Sequence, residues 1–235
     1  MKILAIGIHP DDVELGCGGT VILAAEQRHD VVIVDLSDGT SSSNGTSGER
    51  EGEAAEAARF MGVGKRRNLG FPDTGIHSEN TDQVRNVVRC IREEKPGIVL
   101  VPSADDPHPD HASGGRLIER ALYFAGVRGY DRDTDPWRAE HVLVYPGRND
   151  FEPDIVVDVS TTHTRKTEAI LIHRSQFVLD GDRTPTPLNS PGFVGFIEAR
   201  GRIHGRRIGA EFGEPFLTTK PLAVSDFSLF GTKDL

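Results

Sequence analysis

Residues 2–8 read KILAIGI, an apolar stretch that ends directly before the tetrapeptide HPDD at residues 9–12. An unbroken apolar run is typical of a strand that is buried on both faces of a parallel sheet. Residues 31–36 and 97–101 repeat the pattern, and segments of helical composition separate the three runs. Buried strands that alternate with helices predict an α/β fold, with a Rossmann-like, mostly parallel sheet and helices on both faces.

The remaining elements follow from apolar periodicity and from the positions of Gly and Pro. Helices are predicted at residues 20–27, 49–61, 82–94, 112–124 and 164–173, and further strands at residues 141–145 and 154–159. The sequence GCGG at residues 16–19 departs from the Gly-x-Gly-x-x-Gly spacing of dinucleotide loops, so we expect a tight turn there that leads into the first helix. The Pro-rich residues 184–191 are expected to form a surface loop, and the absence of any repeat or linker predicts a single domain over residues 1–235.

The charge balance narrows the classes of partner. The chain has 235 residues and a formal net charge of −9, which argues against broad nucleic-acid binding and against docking on anionic membranes. Two cysteines are too few for a disulfide framework, and no stretch reaches the ~18 apolar residues of a membrane span. The first apolar stretch is too short for the core of a signal peptide. We therefore expect a cytoplasmic protein with two reduced thiols.

The tripeptide His-Pro-Asp occurs twice, at residues 9–11 and 108–110. Each copy follows a predicted buried strand, and the carboxyl ends of parallel strands are where open α/β sheets bind ligands. A single pair of Asp residues commonly caps a helix. Two His-Pro-Asp motifs that each follow a buried strand instead predict one shared site. Within the second copy, Asp110 is expected to hold His108 in one tautomer.

The residue types at these positions suit a divalent transition metal. A catalytic zinc ion keeps three protein ligands and one open position, and it accepts nitrogen and oxygen donors. His9, Asp12 and His111 supply such a set. Asp11 stands beside two of these ligands in the sequence, where it is able to take a proton from an attacking water molecule.

The motifs resemble the LmbE-like (PIG-L) family of zinc-dependent N-deacetylases over nearly the whole chain. The resemblance rests on HPDDxE at residues 9–14, GxGGT at residues 16–20 and HPDH at residues 108–111. Two later elements, SQF at residues 175–177 and GxExxEPF at residues 209–216, are most similar to the subgroup that deacetylates N-acetylglucosaminyl malate in bacillithiol biosynthesis.

This resemblance implies hydrolysis of the acetamide of an N-acetylglucosamine-type substrate, with release of acetate and a free amine. One Zn²⁺ per subunit is the implied cofactor, and a homo-oligomer, up to a hexamer, is the implied assembly. The residues that the resemblance places in the site are the zinc ligands His9, Asp12 and His111, the general base Asp11, the cationic oxyanion partner His108 with its orienting residue Asp110, and the substrate-binding Arg50.

Two positions depart from the subgroup. Pro107 stands where the subgroup has an arginine that meets the malate carboxylate, and Phe193 stands where a tyrosine often approaches the substrate carbonyl. Because a proline cannot replace a charge-assisted contact, we expect a weaker dependence on malate unless Arg50, Arg148 or Arg183 supplies the cation. A deacetylase of a different N-acetylated amino sugar is therefore an alternative within the same class.

Two other classes of protein fit parts of the pattern. Two histidines and one carboxylate also bind Fe(II) in non-haem oxygenases, but an adjacent base such as Asp11 has no evident role there. A nucleotide- or sugar-binding protein without catalysis could use the same sheet, but the intact motif residues argue against an inactive site. Acetate release that needs zinc and stops with EDTA would separate the three classes.

Overall fold

The computed structural model describes residues 1–225, in which strands and helices alternate along most of the chain. Residues 226–235, the end of the single domain expected from the sequence, lie outside the described part. The strands are β1 (Lys2–Gly7), β2 (Asp30–Ser37), β3 (Lys65–Phe71), β4 (Ile98–Pro102), β5 (His141–Tyr145), β6 (Ile155–Asp158) and β7 (Gly213–Thr218). The helices are α1 (Asp12–Glu26), α2 (Ser47–Phe60), α3 (Thr81–Glu94), α4 (Pro109–Ala125), α5 (His163–Ile172), α6 (Arg174–Phe177) and α7 (Phe193–Arg207).

The strands form a sheet in the order β3-β2-β1-β4-β5-β7-β6. Strands β1 to β5 pair in parallel, whereas β7 is antiparallel to both β5 and β6. The predicted Rossmann-like, mostly parallel sheet is thus confirmed. The chain builds outward from β1 to β3 and then returns to the other side of β1 with β4, so the strand order reverses between β1 and β4. Such a reversal opens a crevice at the carboxyl ends of the two strands.

Strand β1 is buried on both faces because its alternate side chains enter two different cores. Leu4 packs in a cluster with α3 and α4 that includes Val87 and Leu117. Ile3 and Ala5 point the other way, into a cluster with residues of α1 and α5. Helices therefore cover both faces of the central strand, as the unbroken apolar run predicted.

The Gly-rich residues 16–19 correct one expectation, because they lie inside α1 and do not form a turn. The helix begins at Asp12, and the glycines allow it to pack closely on the sheet. A Cβ atom on Gly16 would lie 2.2 Å from Cδ2 of Tyr145. Cys17 has a φ of −143°, so the helix is kinked beside this contact. Close packing, and not turn formation, explains these small residues.

Periodicity also missed β3, β7 and α7. Strand β3 reads KRRNLGF, which lacks the apolar pattern of the central strands. Its Arg66 donates hydrogen bonds to Asp35 at 2.7 Å and to Glu14 at 2.5 Å. Ion pairs with residues that are distant in the sequence stabilise this polar strand, so the local sequence gives no indication of it. Helix α7 contains three glycines, which lower helix propensity, and four arginines.

Two expectations from composition can be compared with the described residues. Cys17 and Cys90 are both buried and unpaired within residues 1–225, and they lie in different core clusters. No helix within residues 1–225 is long and apolar enough to cross a membrane.

Candidate active site

The two His-Pro-Asp motifs meet at the crevice between β1 and β4. His9 and Asp11 lie in the short turn after β1, and Asp12 begins α1, whereas His108 is the N-cap of α4. Pro109 occupies the first turn of α4, where its fixed φ suits the helix and its missing N–H has no helical partner to lose. Parallel pairing of β1 with β4 brings the two junctions to one edge of the sheet.

Three motif side chains converge closely enough to hold one metal ion. Nε2 of His111 lies 3.3 Å from Nδ1 of His9 and 3.4 Å from Oδ2 of Asp12, and the latter two atoms are 3.8 Å apart. Ligand atoms about 2.0–2.1 Å from a tetrahedral zinc ion lie about 3.4 Å from one another. The backbone N–H groups of Ile8 and His9 donate to the same Asp12 oxygen and fix its carboxylate. These residues therefore fit the group that the sequence predicted.

Further carboxylates face the outer nitrogens of the two histidines. Oδ2 of Asp106 lies 3.5 Å from Nδ1 of His111, and Oδ1 of Asp73 and Oδ2 of Asp110 lie 3.2 and 3.4 Å from Nε2 of His9. A carboxylate in this position orients a metal-ligating imidazole and selects its tautomer. No role was predicted for Asp73, which follows the missed strand β3. None was predicted for Asp106 either, although it lies next to the second motif in the sequence.

His9 also belongs to a second group of three, with Asp73 and Asp110 around its Nε2 atom. We favour the first group as the metal site because it offers two imidazole ligands. The second group then serves to orient His9.

The site is strongly electronegative. Although burial opposes the charged form of His9, Asp110 and Asp73 raise its pKa to about 10. Burial opposes the charge on His111 in the same way, and Asp12 raises the pKa of that histidine above its ordinary value. Both shifts reflect an excess of carboxylates, which a divalent cation would balance.

Asp11 occupies the N-cap position of α1 but makes no capping hydrogen bond. Its φ of 137° is rare for a residue with a side chain, and strained backbone of this kind is concentrated at functional sites. Nη2 of Arg50 lies 3.3 Å from Oδ2 of Asp11, and the same guanidinium donates to the carbonyls of Gly39 and Pro10. Burial raises the pKa of Asp11 to about 6, and Arg50 opposes this rise. Arg50, expected from the sequence to bind substrate, is thus placed to hold Asp11.

His108 is oriented by the backbone and not by the carboxylate of Asp110, which corrects the sequence expectation. Its Nδ1 accepts the backbone N–H of Asp110 at 3.2 Å, while the Asp110 carboxylate contacts Thr74 and His9. Burial lowers the pKa of His108, and the neighbouring His111 adds to the effect. An acceptor at Nδ1 and a lowered pKa both favour the neutral ring with its proton on Nε2. The cation expected from the resemblance is disfavoured in this arrangement.

A single cleft of about 230 Å³ is lined by His9, Asp11, Asp12, Arg50, Asp73, His108 and His111. Phe193, at the start of α7, also lines it. Of the cations considered from the sequence, Arg148 lines the cleft, whereas Arg183 lies outside its lining and pairs with Glu49. Arg200 also lines the cleft, although no sequence motif pointed to it.

The fold and the site define a Rossmann-like α/β protein with a candidate metal site at the switch point of a parallel sheet. The model of the PIG-L family, described as GlcNAc-PI de-N-acetylase, matches residues 4–122, which contain both His-Pro-Asp motifs. The chain belongs to this family of deacetylases.

Individual relatives agree with that assignment. Diacetylchitobiose deacetylase of Thermococcus kodakarensis is 36% identical over 197 residues, which are 76% of this chain and 71% of the relative. Probable N-acetyl-α-D-glucosaminyl L-malate deacetylase 2 of Bacillus cereus is 29% identical over 74% of this chain and 83% of the relative. The crystal structure of the conserved protein TT1542 from Thermus thermophilus matches with a TM-score of 0.87 and 35% identity, over 96% of this chain and 98% of that chain. The similarity therefore extends well beyond residue 122.

Proposed function

We propose that the chain is a zinc-dependent N-deacetylase that hydrolyses the acetamide of an N-acetylglucosamine-type substrate and releases acetate and a free amine. The observation that carries the proposal is the convergence of His9, Asp12 and His111 beside Asp11 in one cleft. Nitrogen and carboxylate donors in this number suit zinc. When bound, the metal would polarise the acetyl carbonyl and lower the pKa of water from about 15.7 toward ~7.

Asp11 is placed to accept the proton of the attacking water. A buried carboxylate whose pKa is raised to about 6 is suited to taking up a proton and releasing it again near neutral pH. Arg50 keeps this carboxylate in place through a contact of 3.3 Å. Asp11, which then holds the proton taken from the water, delivers it to the leaving amine.

His108 stabilises the negative charge that develops on the acetyl oxygen. With Nδ1 occupied by the N–H of Asp110, the ring presents Nε2–H as a hydrogen-bond donor. A preorganised donor of this kind contributes about 10²–10³ to kcat. The N-cap position of His108 on α4 keeps the donor rigid.

The names of the relatives support an N-acetylglucosamine unit in the substrate. Diacetylchitobiose and N-acetylglucosaminyl malate, named for two of them, both contain this unit. We propose that this chain deacetylates such a unit. The malate derivative of bacillithiol biosynthesis is one candidate substrate, and another N-acetylated amino sugar is the alternative.

Acetate release from a panel of N-acetylglucosaminides tests the proposal. Release is expected with the zinc-loaded protein and is expected to stop with EDTA and to return when zinc is added. Oxygen-dependent turnover with Fe(II) would favour the oxygenase, and binding without acetate release would favour a non-catalytic protein. Either result would contradict the deacetylase proposal.

Assembly is a separate expectation. We propose a homo-oligomer in the cytoplasm, on the basis of the family resemblance. Sedimentation at micromolar concentration is expected to give a species larger than the chain. A single species of 25.6 kDa would contradict it.

A further inference from the structure

Arg200 lines the same cleft as the motif residues, yet the proposed reaction does not use it. Its residue exposure is only 8%. Nη1 donates to the carbonyl oxygen of Gly147 at 2.8 Å, and Nη2 donates to that of Leu15 at 3.4 Å. Within residues 1–225, no carboxylate lies within ion-pair distance of this guanidinium. Arg200 is therefore a buried cation without a close ion pair, and Asp150 and Glu214 attract it only from a longer distance.

The buried Arg92 has a structural role, and its hydrogen bonds can be compared with those of Arg200. All three of its side-chain nitrogens donate hydrogen bonds, to carbonyl groups at the end of α4 and in the loop that follows, and to the hydroxyl of Thr134. Arg200 uses two of its five N–H donors on the described chain. Because buried charges are normally paired, the free donors of Arg200 indicate a ligand group that completes the site.

The anchors of Arg200 tie it to both halves of the candidate metal site. Leu15 lies on α1, one turn after Asp12. Gly147 precedes Arg148, whose backbone N–H donates to Asp106 at 2.7 Å. The guanidinium is thus held between α1, which begins at Asp12, and the loop after β5, which contacts Asp106 beside the second motif.

We propose that Arg200 recognises an anionic group, a carboxylate or a phosphate, on the part of the substrate beyond the N-acetylglucosamine unit. The inference rests on the proposed deacetylase function and names the substrate class within it. A guanidinium offers a planar fork that matches either anion with two hydrogen bonds. The other buried arginine of the cleft, Arg50, is already paired with Asp11. Arg148 also lines the cleft, but its side chain is exposed. As the buried arginine without a close ion pair, Arg200 would supply the cation that Pro107 cannot supply.

The neighbouring Phe196 fits a sugar ring beside this anion. Its residue is 50% exposed, it lines the cleft, and Cζ of Arg200 lies 5.6 Å from its ring centroid. An exposed aromatic face is suited to packing against the apolar face of a pyranose. Recognition of a charged sugar derivative therefore needs no rearrangement of α7.

Calorimetric binding of amine products, which cannot be hydrolysed, tests the inference on the zinc-loaded protein. The probes are glucosaminyl malate with its neutral dimethyl ester, and glucosamine 1-phosphate with neutral methyl glucosaminide. Wild-type protein is expected to bind one of the anionic probes about 10- to 100-fold more tightly than its neutral partner. The pair that shows the larger ratio identifies a carboxylate or a phosphate as the recognised group.

Arg200→Met is expected to abolish this preference and to leave the affinity for the neutral probes within about twofold. Arg200→Lys, which keeps the charge without the fork, is expected to restore part of it. Arg206→Met removes a charge from the exposed face of the same helix and is expected to bind like the wild type.

A wild-type protein without preference for either anion would overturn the inference. The same holds if both variants of Arg200 keep the preference, or if they weaken anionic and neutral probes equally. Binding is measured without turnover, so these failures leave acetate release untouched. Absence of acetate release from every substrate would instead overturn the proposed deacetylase function.

Discussion

The Asp12 carboxylate lies 3.4 Å from Nε2 of His111, although the two residues belong to strand–helix junctions that are far apart in the chain. Parallel pairing of β1 with β4 creates this proximity. The first junction carries His9 and Asp12, and the second carries His111, so neither junction holds the full ligand set. Loss of the ligands at either junction is therefore expected to abolish metal binding, even though the sheet itself would remain.

His111→Ala and His9→Ala are expected to lose bound zinc, because each removes one of the three ligands. Asp11→Asn is expected to keep zinc and to lose turnover by about 10²–10⁴, since it removes the proton acceptor and leaves the ligand set intact. Metal analysis after gel filtration, combined with acetate release, measures both effects. Stoichiometric zinc in His111→Ala would exclude the second motif from the site, and near-wild-type kcat in Asp11→Asn would refute its role as the base.

His108 combines a helix cap with the proposed oxyanion contact, and two substitutions separate these roles. His108→Asn retains a capping acceptor for α4 but lacks the Nε2–H donor, whereas His108→Ala loses both. Both variants are expected to lose about 10²–10³ in kcat, and only the alanine variant is expected to lose about 1 kcal/mol of stability. Thermal unfolding and acetate release measure the two effects. Full activity in His108→Asn would show that the imidazole is not needed.

The buried pair of Lys166 and Glu214 is expected to make stability depend on acidic pH. Nζ of Lys166 lies 2.6 Å from Oε1 of Glu214, which also accepts the N–H of Gly19. Although burial opposes ionisation, Lys166 holds the pKa of Glu214 below its ordinary value of 4.5. A carboxyl whose pKa is depressed in the folded state stabilises the fold above its unfolded pKa, and this stabilisation is lost as the pH falls. The free energy of unfolding is therefore expected to decrease below about pH 4.5.

Glu214→Gln is expected to cost about 3–5 kcal/mol at neutral pH, because it leaves Lys166 buried without its partner. The variant is also expected to lose its share of the acid dependence. Glu211→Gln, which changes an exposed carboxyl nearby, is the control and is expected to leave the free energy of unfolding almost unchanged. Denaturant titrations at pH 7 and pH 4 make the comparison. Equal acid sensitivity in the wild type and in Glu214→Gln would contradict the assignment.

Gly16→Ala tests the close approach of α1 to the sheet. The added Cβ would lie 2.2 Å from the ring of Tyr145, whose hydroxyl donates to the carbonyl of Ile6 at 2.7 Å and restrains the ring. Overpacking of this kind is expected to cost about 1–3 kcal/mol. Gly52→Ala, on α2 and with no atom within 4 Å of the added Cβ, is expected to stabilise the protein by up to about 1 kcal/mol. Urea unfolding that gives both variants the same stability would show that α1 yields to the ring.

Some of the site was predictable because its residues are close together in the chain. HPDD at residues 9–12 and HPDH at residues 108–111 each follow an apolar strand, and parallel strands place their carboxyl ends at one edge. The contact of Asp73 with His9 could not be predicted in the same way, because β3 has no apolar pattern. Asp73 reaches His9 only through the order of the strands in the sheet. Arg200 belongs to no short motif, and only the packing of α7 brings it to the cleft, where it donates to the carbonyls of Leu15 and Gly147.

The sequence by itself determined the parallel sheet and the candidate metal ligands, because buried strands and short motifs are encoded by neighbouring residues. Only the tertiary structure decided the partners of those residues. In the folded chain, Arg50 contacts Asp11, the backbone N–H of Asp110 orients His108, and the Asp110 carboxylate faces His9. Side-chain direction and ion pairing depend on elements that meet in space, and a one-dimensional pattern carries no information about which charges will face one another.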